Sequence, residues 1–280
     1  MLQKYSVLMS VYEKEKPNNL KISIDSMLEQ THFPDEIVLV EDGPLPDSLN
    51  CIIENFAKNY KNLFKIIKLN KNMGLGTALN VGLLNCKNEL VARMDTDDIS
   101  ISSRCEKQVR RFMLNSNLNI LGTQIYEFVD DPLNVISQRY VPCSFNEIKK
   151  FARRRSPFNH PSVMYKKSII LKYGGYKGFG RKEDLELFLK LVFENCYSEN
   201  LEEPLLYYRT NNSNMRRRKT WINCSEYIHI MHNFYNTDKI SLVDFVYVVF
   251  GQLIIYILPF VLFKKINFIL LRKRKKIKNE

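Results

Sequence analysis

The first hundred residues alternate between short apolar runs and longer segments in which apolar side chains recur at helical spacing. Apolar, β-branched runs are typical of buried strands, and the segments between them are typical of helices packed on a sheet. The predicted strands are Tyr5–Val11, Glu36–Val40, Phe64–Leu69 and Glu89–Met94. The predicted helices between them are Pro17–Gln30, Leu49–Tyr60 and Ala78–Leu84. This alternation predicts an α/β fold with a mainly parallel sheet flanked by helices.

Beyond Asp98 the pattern changes to one more typical of the edge of a mixed sheet. Further strands are predicted at Ile120–Val129, Val135–Val141 and Leu205–Arg209. Further helices are predicted at Ser103–Leu114, Asn146–Ala152, Lys167–Tyr173 and Glu183–Asn195. We therefore divide the chain into a βαβ half (residues 1–100), a second half of the same domain (101–239) and a C-terminal segment (240–280).

Charge and cysteine usage narrow the class of protein. The formal net charge is +12, of which +7 belongs to residues 264–280, so the body of the chain is only mildly basic. The six cysteines are scattered, without the paired spacing of a zinc site or the density of a disulfide framework. No secretory signal is apparent at the start of the sequence. We expect free thiols and a catalytic part that stays in the cytoplasm.

The residues that follow each predicted strand are candidates for a site, because ligands of open parallel sheets bind beyond the carboxyl ends of the strands. They are Ser10, Val11, Tyr12 and Glu13; Glu41 and Asp42; Asn72 and Gly74; and Asp95, Asp97 and Asp98. Neither the glycine-rich turn of dinucleotide-binding folds nor a Walker P-loop is present. We expect a diphosphate to be gripped through a metal ion held by carboxylates.

The sequence Asp95-Thr96-Asp97-Asp98 is the strongest local motif. Hard divalent cations such as Mg²⁺ and Mn²⁺ prefer carboxylate oxygen and keep positions open for substrate phosphates. The alternative is a polar turn that caps the helix beginning near Ser103. The motif follows the fourth strand and Asp42 follows the second, and this placement favours the metal site.

Several collinear motifs resemble glycosyltransferase family 2, of the GT-A fold, over about residues 5–210. They are VLMSVY at 7–12, SMLEQT at 26–31, EIVLVEDGP at 36–44, NMGLGTALNVGL at 72–83, ARMDTDDIS at 92–100, RRRSPFNHPSVMY at 153–165, KYGGY at 172–176 and EDLELFLKL at 183–191. Within the family the chain is most similar to the bacterial polysaccharide branch of the amylovoran and O-antigen enzymes. The resemblance implies a GT-A nucleotide-diphospho-sugar transferase fold, with residues 1–100 binding the nucleotide sugar.

The resemblance also implies a role for each matching residue. The uracil and ribose would be bracketed by Ser10, Val11, Tyr12, Glu13 and Asp42. The nucleotide pocket would be shaped by Asn72, Gly74 and Asn80, with Arg93 as its floor. Asp95 and Asp97 would hold Mn²⁺ or Mg²⁺, with Asp97 favoured as the direct ligand, and Asp184 would be the catalytic base.

The role of Asp184 also has a physical basis. Inverting transfer needs a carboxylate that takes the proton of the acceptor hydroxyl, while a metal ion stabilises the departing diphosphate. Asp184 stands at the start of a predicted helix after a glycine-rich stretch, and its alternative role is to cap that helix.

Other polar residues are candidates for contact with the acceptor or with phosphate. They are His160, Glu183, Arg153, Arg154 and Arg155. For His160 a structural hydrogen bond is an equal alternative, and for the arginines the alternative is a solvated surface. Nucleic acid fits less well, because the basic clusters lack interleaved aromatic residues.

The uncharged run Phe245–Phe263 is long enough to span a bilayer. A single span would, however, separate the basic tail from a catalytic domain that needs cytoplasmic sugar nucleotide. We favour a hairpin in the membrane interface, with its cations on anionic headgroups, over a true span. This would place a peripheral or re-entrant protein at the cytoplasmic face of the bacterial inner membrane.

The leading hypothesis is an inverting transferase that moves galactose or glucose from a UDP-sugar to a saccharide linked to undecaprenyl diphosphate, in capsule, O-antigen or exopolysaccharide synthesis. One alternative is a nucleotidyltransferase of similar fold, although its basic glycine loop after the first strand is missing. The other is a non-catalytic protein that binds sugar nucleotides. The presence of Asp95, Asp97 and Asp184 speaks against it.

Overall fold

The computed structural model describes residues 1–177, 182–210, 212–263 and 272–273. Its first half is a series of strand–helix units. The strands are β1 (Tyr5–Val11), β2 (Glu36–Glu41), β3 (Phe64–Lys68) and β4 (Leu90–Asp95). The helices are α1 (Pro17–Leu28), α2 (Asp47–Asn59) and α3 (Leu75–Asn85). β1 pairs in parallel with β2 and β4, and β2 pairs in parallel with β3, as predicted.

Helices cover both faces of this parallel sheet. On one face Leu8 of β1 shares a core cluster with Leu79 and Leu83 of α3. On the other face Met9 shares a cluster with residues of α1 that include Leu20. Strands buried on both faces have nearly continuous apolar sequences, which is why their positions could be predicted.

The second half adds antiparallel strands to the same sheet. Its elements are β5 (Ile99–Ser100), α4 (Arg104–Leu114), β6 (Ile120–Phe128), β7 (Ser137–Arg139), α5 (Phe145–Ala152), a 3₁₀ turn (His160–Ser162), β8 (Met164–Lys166), α6 (Lys167–Lys172), α7 (Glu183–Phe193) and β9 (Ser198–Arg209). They are followed by α8 (Asn212–Arg218), α9 (Trp221–Asn236), α10 (Leu242–Ile257) and β10 (Arg272–Lys273). Within the described residues the main strand order is β10-β7-β6-β8-β4-β1-β2-β3, and β9 pairs with β5 and β6.

Two predictions for the second half need correction, and two strands were not predicted. β9 begins at Ser198 and not near Leu205, because the exposed residues Glu202 and Glu203 interrupt its apolar pattern. β7 spans only Ser137–Arg139. The short strands β5 and β8 were not predicted, although β8 joins β4 to β6 and so connects the two halves of the sheet.

The C-terminal helices pack on the body through polar and aromatic contacts. α10 lies against α9, with the rings of Tyr235 and Phe245 stacked at 5.4 Å between centroids. Arg154 Nε lies 2.7 Å from Asp244 Oδ1, which ties the start of α10 to the segment after α5. Within the described part of the chain, no helix is both long enough and apolar enough to cross a membrane. The basic tail lies outside the described residues, except for the backbone at 272–273.

Candidate active site

The loops that follow the parallel strands meet at one edge of the sheet. Ser10 is paired with Asp95 in the register of β1 and β4, and Val11 with Glu41 in that of β1 and β2. The backbone N–H of Asp42 donates to the carbonyl of Val11 at 2.8 Å. The predicted nucleotide-binding loops are therefore neighbours in space, whereas Tyr12 and Glu13 are exposed at their rim.

Three carboxylates, which we call the acidic cluster, lie at this edge. Asp95, Asp97 and Asp98 each offer an oxygen, and these oxygens lie within 4.8 Å of one another. Asp98 is fully buried, and its Oδ1 accepts the backbone N–H of Arg209 at 2.7 Å. Its Oδ2 has no hydrogen-bond partner among the described residues. Arg93, also buried, forms an ion pair with Asp95.

The electrostatics of the cluster fit a divalent cation. Burial, followed by the nearby charges of Asp95 and Glu15, raises the pKa of Asp97 to about 7. Burial and the Asp97 carboxylate likewise raise the pKa of Asp98 well above its ordinary value. A bound cation would relieve this repulsion and supply the missing partner of Asp98 Oδ2, since hard cations take carboxylate oxygens.

Two predicted nucleotide contacts hold the backbone in place. The carboxylate of Asp42 accepts the N–H groups of Met73 at 2.7 Å and Gly74 at 3.1 Å. Gly74 has φ +84°, a left-handed conformation that favours glycine, and it stands directly before α3. Asn72 lies exposed in the same turn, and its side-chain oxygen accepts the N–H of Gly74 at 3.2 Å. Asp42 thus fixes the turn that precedes α3.

Asn80 plays a similar part on α3. Its amide donates to the carbonyl of Tyr176 at 2.5 Å and accepts the N–H of Tyr176 at 2.8 Å. Gly175, beside it, has φ +69°, and a Cβ there would lie 2.4 Å from Asn80 Oδ1. Asn80 therefore clamps the segment that leads towards α7, and so towards Glu183 and Asp184.

A cavity of about 190 Å³ joins the acidic cluster to the start of α7. Five predicted site residues line it, namely Arg93, Asp95, His160, Glu183 and Asp184. Burial and the adjacent Asp184 carboxylate raise the pKa of Glu183 to about 7. The candidate base thus shares one cavity with Asp95 of the acidic cluster.

His160 has a clear structural role in the wall of this cavity. Its Nε2 lies 3.1 Å from the Tyr176 hydroxyl, and its ring packs against Phe188. Burial and the Arg93 charge keep the pKa of His160 well below its usual range, so the imidazole is neutral. Both alternatives considered for His160 therefore retain support, since it lines the cavity and also makes a structural hydrogen bond.

The three consecutive arginines are not among the residues that line the cavity. Arg154 pairs with Asp244 and stacks on Tyr247, with 4.4 Å between its guanidinium carbon and the ring centroid. Arg153 is exposed, and Arg155 is half-buried over the ring of Phe151. Of the three, Arg154 is thus engaged in holding α10.

Sequence reasoning missed several residues of the site. Arg139, Tyr208 and Arg218 line the cavity, and Glu15 and Arg209 contact the DTDD segment. Arg209 Nε donates to the carbonyl of Asp97 at 2.9 Å. Of these residues only Arg218 could have been suspected from the sequence, because it belongs to the basic run Arg216–Lys219. Isolated residues such as Arg139 reach the site through tertiary structure alone.

Comparisons with known proteins identify the fold. The chain superimposes on the crystal structure of TarS 1–349 from S. aureus in complex with UDP-GlcNAc, with a TM-score of 0.64 at 18% sequence identity. The match covers 95% of this chain and 75% of that one. The predicted GT-A nucleotide-diphospho-sugar transferase fold is therefore confirmed.

Sequence comparisons identify the family. The family model for "Glycosyl transferase family 2" matches residues 6–180. A UDP-Gal:α-D-GlcNAc-diphosphoundecaprenol β-1,3-galactosyltransferase of Escherichia coli is 35% identical, over 91% of this chain and 92% of its own. The amylovoran biosynthesis glycosyltransferase AmsE of Erwinia amylovora is 37% identical, over 78% of this chain and 80% of its own. The chain is therefore a member of glycosyl transferase family 2, in the bacterial polysaccharide branch that its motifs indicated.

Proposed function

We propose that the protein is an inverting glycosyltransferase that moves a hexose from a UDP-sugar to a saccharide linked to a polyprenyl diphosphate. The observation that carries this proposal is the shared cavity of Asp95 and Asp184. A donor held at the acidic cluster would present its anomeric carbon towards α7. The acceptor hydroxyl would approach from the side of Asp184 and displace UDP in one step.

The donor side of the site consists of Asp95, Asp97 and Asp98 at the ends of the parallel strands. When bound there, Mn²⁺ or Mg²⁺ supplies Lewis-acid stabilisation of the departing diphosphate. Arg93 pairs with Asp95, while its Nε and Nη1 are buried without hydrogen-bond partners among the described residues. Arg93 thus orients the Asp95 carboxylate, and its remaining N–H groups stay available as hydrogen-bond donors.

The acceptor side is formed by the first turn of α7. Asp184 takes the proton of the attacking hydroxyl in this proposal, as a carboxylate next to the reacting oxygen can. Glu183 beside it has a raised pKa and is partly protonated near neutral pH.

The relatives support the choice of donor and acceptor. The similar enzyme of E. coli is named for transfer from UDP-Gal to a sugar on diphosphoundecaprenol, and AmsE is named for amylovoran synthesis. We therefore propose galactose or glucose as the hexose, and capsule, O-antigen or exopolysaccharide synthesis as the process.

We also propose that α10 rests on the cytoplasmic face of the bacterial inner membrane, where such an acceptor is found. Four of its exposed apolar residues recur at helical spacing and form one stripe, the α10 stripe. It consists of Val243, Phe250, Ile254 and Ile257. Arg216 lies 4.7 Å from the ring of Phe260, so a cation lies close to the end of this helix. A stripe of this kind with cations beside it fits an anionic interface.

The test is a screen of UDP-sugars and acceptors with Mn²⁺ present and UDP release as the readout. We expect release with UDP-galactose or UDP-glucose that depends on an acceptor carrying a lipid diphosphate. Asp97→Asn should abolish the release. Equal release by that variant would contradict the role of the acidic cluster.

A further inference from the structure

Two arginines line the cavity, and two further cations lie within electrostatic range of them. Arg139 of β7 and Arg218 of α8 line the cavity, and the Arg139 guanidinium interacts electrostatically with Arg218 and Arg155. Lys182, directly before α7, is within electrostatic range of Arg218 and Asp184. We call Arg139, Arg155, Lys182 and Arg218 the cationic cluster.

The cationic cluster lacks the carboxylate partners that arginines elsewhere in the chain have. Among the described residues none of its members forms a salt bridge, whereas Arg111 pairs with Glu199 and Arg154 with Asp244. Arg139 makes no side-chain hydrogen bond to a described residue, although the Glu127 carboxylate is within electrostatic range of it. The Arg218 side chain donates a long hydrogen bond of 3.5 Å to the Tyr208 hydroxyl. Clustered, half-buried guanidinium groups that form no salt bridge with a described residue indicate an anionic ligand.

Electrostatics support this interpretation. Burial, with the charges of Arg218 and Arg155, lowers the pKa of Arg139 to about 10. Burial also lowers the pKa values of Arg155 and Lys182. An anion at this place would remove both the repulsion and the cost of keeping these charges out of water.

The position of the cluster indicates which anion. Lys182 lies two residues before the candidate base, and its ammonium is 5.7 Å from the ring centroid of Tyr227 on α9. Arg155 interacts electrostatically with Tyr227 and with Tyr247 on α10. The cationic cluster therefore lies between Asp184 and the helix that carries the α10 stripe.

We propose that Arg139 and Arg218, assisted by Arg155, bind the diphosphate of the lipid-linked acceptor. This inference rests on the proposed function. A polyprenyl-diphosphate sugar presents its hydroxyl, its diphosphate and its lipid in that order. Asp184, the cationic cluster and α10 follow one another in the same order. In the proposed function the donor diphosphate is held at the acidic cluster. Tyr208, which contacts Arg218, lies within electrostatic range of Asp95, Asp97 and Asp98, so the two diphosphates would be neighbours in one cavity.

Binding of farnesyl diphosphate to the full chain tests the proposal without requiring the acceptor sugar. Titrations are made with Mn²⁺ and saturating UDP, after UDP binding itself has been measured. We expect farnesyl diphosphate to bind in the presence of UDP, and more tightly than farnesyl monophosphate. Arg139→Gln and Arg218→Gln should each weaken binding about tenfold, the loss expected for one charged hydrogen-bonding group. UDP affinity should stay unchanged.

Arg110→Gln is the matched control, because Arg110 is exposed on α4, is absent from the cavity lining and carries the same charge. If Arg139→Gln fails to fold, Arg139→Lys serves in its place. It keeps the charge but loses the planar guanidinium group, so it should bind farnesyl diphosphate with intermediate affinity.

Three results would overturn the proposal. The first is competition between farnesyl diphosphate and UDP, which would assign the arginines to the donor. The second is binding of farnesol as tight as that of farnesyl diphosphate. The third is a loss of affinity in Arg110→Gln equal to that in Arg139→Gln and Arg218→Gln. Failure of UDP to bind with Mn²⁺ would instead count against the proposed function, so the two are distinguishable.

Discussion

At the scale of single residues, the site is defined by charges that are held close together out of water. The acidic cluster contains three carboxylates within 4.8 Å, and only Asp95 has a cationic side-chain partner, Arg93, among the described residues. Such an arrangement is unfavourable for the fold alone, because burial and like charges both oppose ionisation. It becomes favourable when a cation is bound, which indicates that the cluster serves binding.

The first prediction concerns the loss of stability that ionisation of Asp97 causes when no cation is bound. The pKa of Asp97 is raised from its ordinary value to about 7, so the native state binds this proton more tightly than the unfolded chain. The free energy of unfolding should therefore fall as the pH rises from about 4 to about 7. Asp97→Asn removes that loss and should raise the free energy of unfolding at pH 8, without metal, by up to about 4 kcal/mol, at about 1.4 kcal/mol for each pKa unit.

Urea denaturation at pH 5 and pH 8, with and without Mn²⁺, measures this effect. Mn²⁺ should stabilise the native protein at pH 8 and stabilise the variant much less. Asp130→Asn, at an exposed position, is the control and should change neither quantity. The same pH dependence in the native protein and in Asp97→Asn would contradict the assignment.

The second prediction separates the base from its neighbours on α7. Asp184→Asn should lower the turnover about 10²–10⁴-fold, the usual contribution of a general base, and leave UDP affinity unchanged. Glu186→Gln is the control on the same helix, where Glu186 pairs with Lys177 outside the cavity lining. Rates measured beside calorimetric UDP titrations decide the matter. A parallel fall of UDP affinity and rate would make Asp184 structural.

Sequence reasoning identified residues that follow strands and failed for residues that reach the site from elsewhere. Asp95 and Asp184 could be placed because Asp95 ends the predictable strand β4 and Asp184 lies in the first turn of the predictable helix α7. Arg139 could not, since β7 is a short strand whose position in the sheet depends on its pairing with β6. Asp42 was placed at the correct edge, but its bonds to the backbone of Met73 and Gly74 follow only from the structure.

At the scale of elements, the parallel strands were predictable and the short antiparallel ones were not. β1, β2 and β4 are buried almost throughout, so their apolar runs are unmistakable. β8 has three residues and merges into α6 without a turn. The apolar run Phe245–Phe263 was predicted to form part of a hairpin in the membrane interface. The structure shows a helix, α10, with one face on α9 and the α10 stripe exposed.

The third prediction concerns the α10 stripe. Phe250→Glu with Ile254→Glu should weaken binding to phosphatidylglycerol vesicles more than tenfold, because two large apolar side chains would no longer enter the interface. Vesicle sedimentation at low and high salt provides the measurement. Met113→Glu with Leu114→Glu is the control, since both residues are exposed at the end of α4. Undiminished sedimentation of the α10 variant would exclude this stripe as the docking surface.

At the scale of the whole molecule, three features follow one another along the structure. The acidic cluster lies at the ends of the parallel strands, the cavity joins it to α7, and the cationic cluster lies between Asp184 and α10. This order matches a donor on one side and a lipid-linked acceptor on the other.

The central claim is tested most directly by following donor and acceptor in one reaction. The protein is incubated with Mn²⁺, a UDP-hexose and a saccharide on a lipid diphosphate, while UDP is assayed and the acceptor is weighed by mass spectrometry. We expect one UDP released for each acceptor that gains the mass of one hexose residue, and neither event with Asp184→Asn. UDP release without a change in acceptor mass, or equal transfer by Asp184→Asn, would contradict the proposed transfer mechanism.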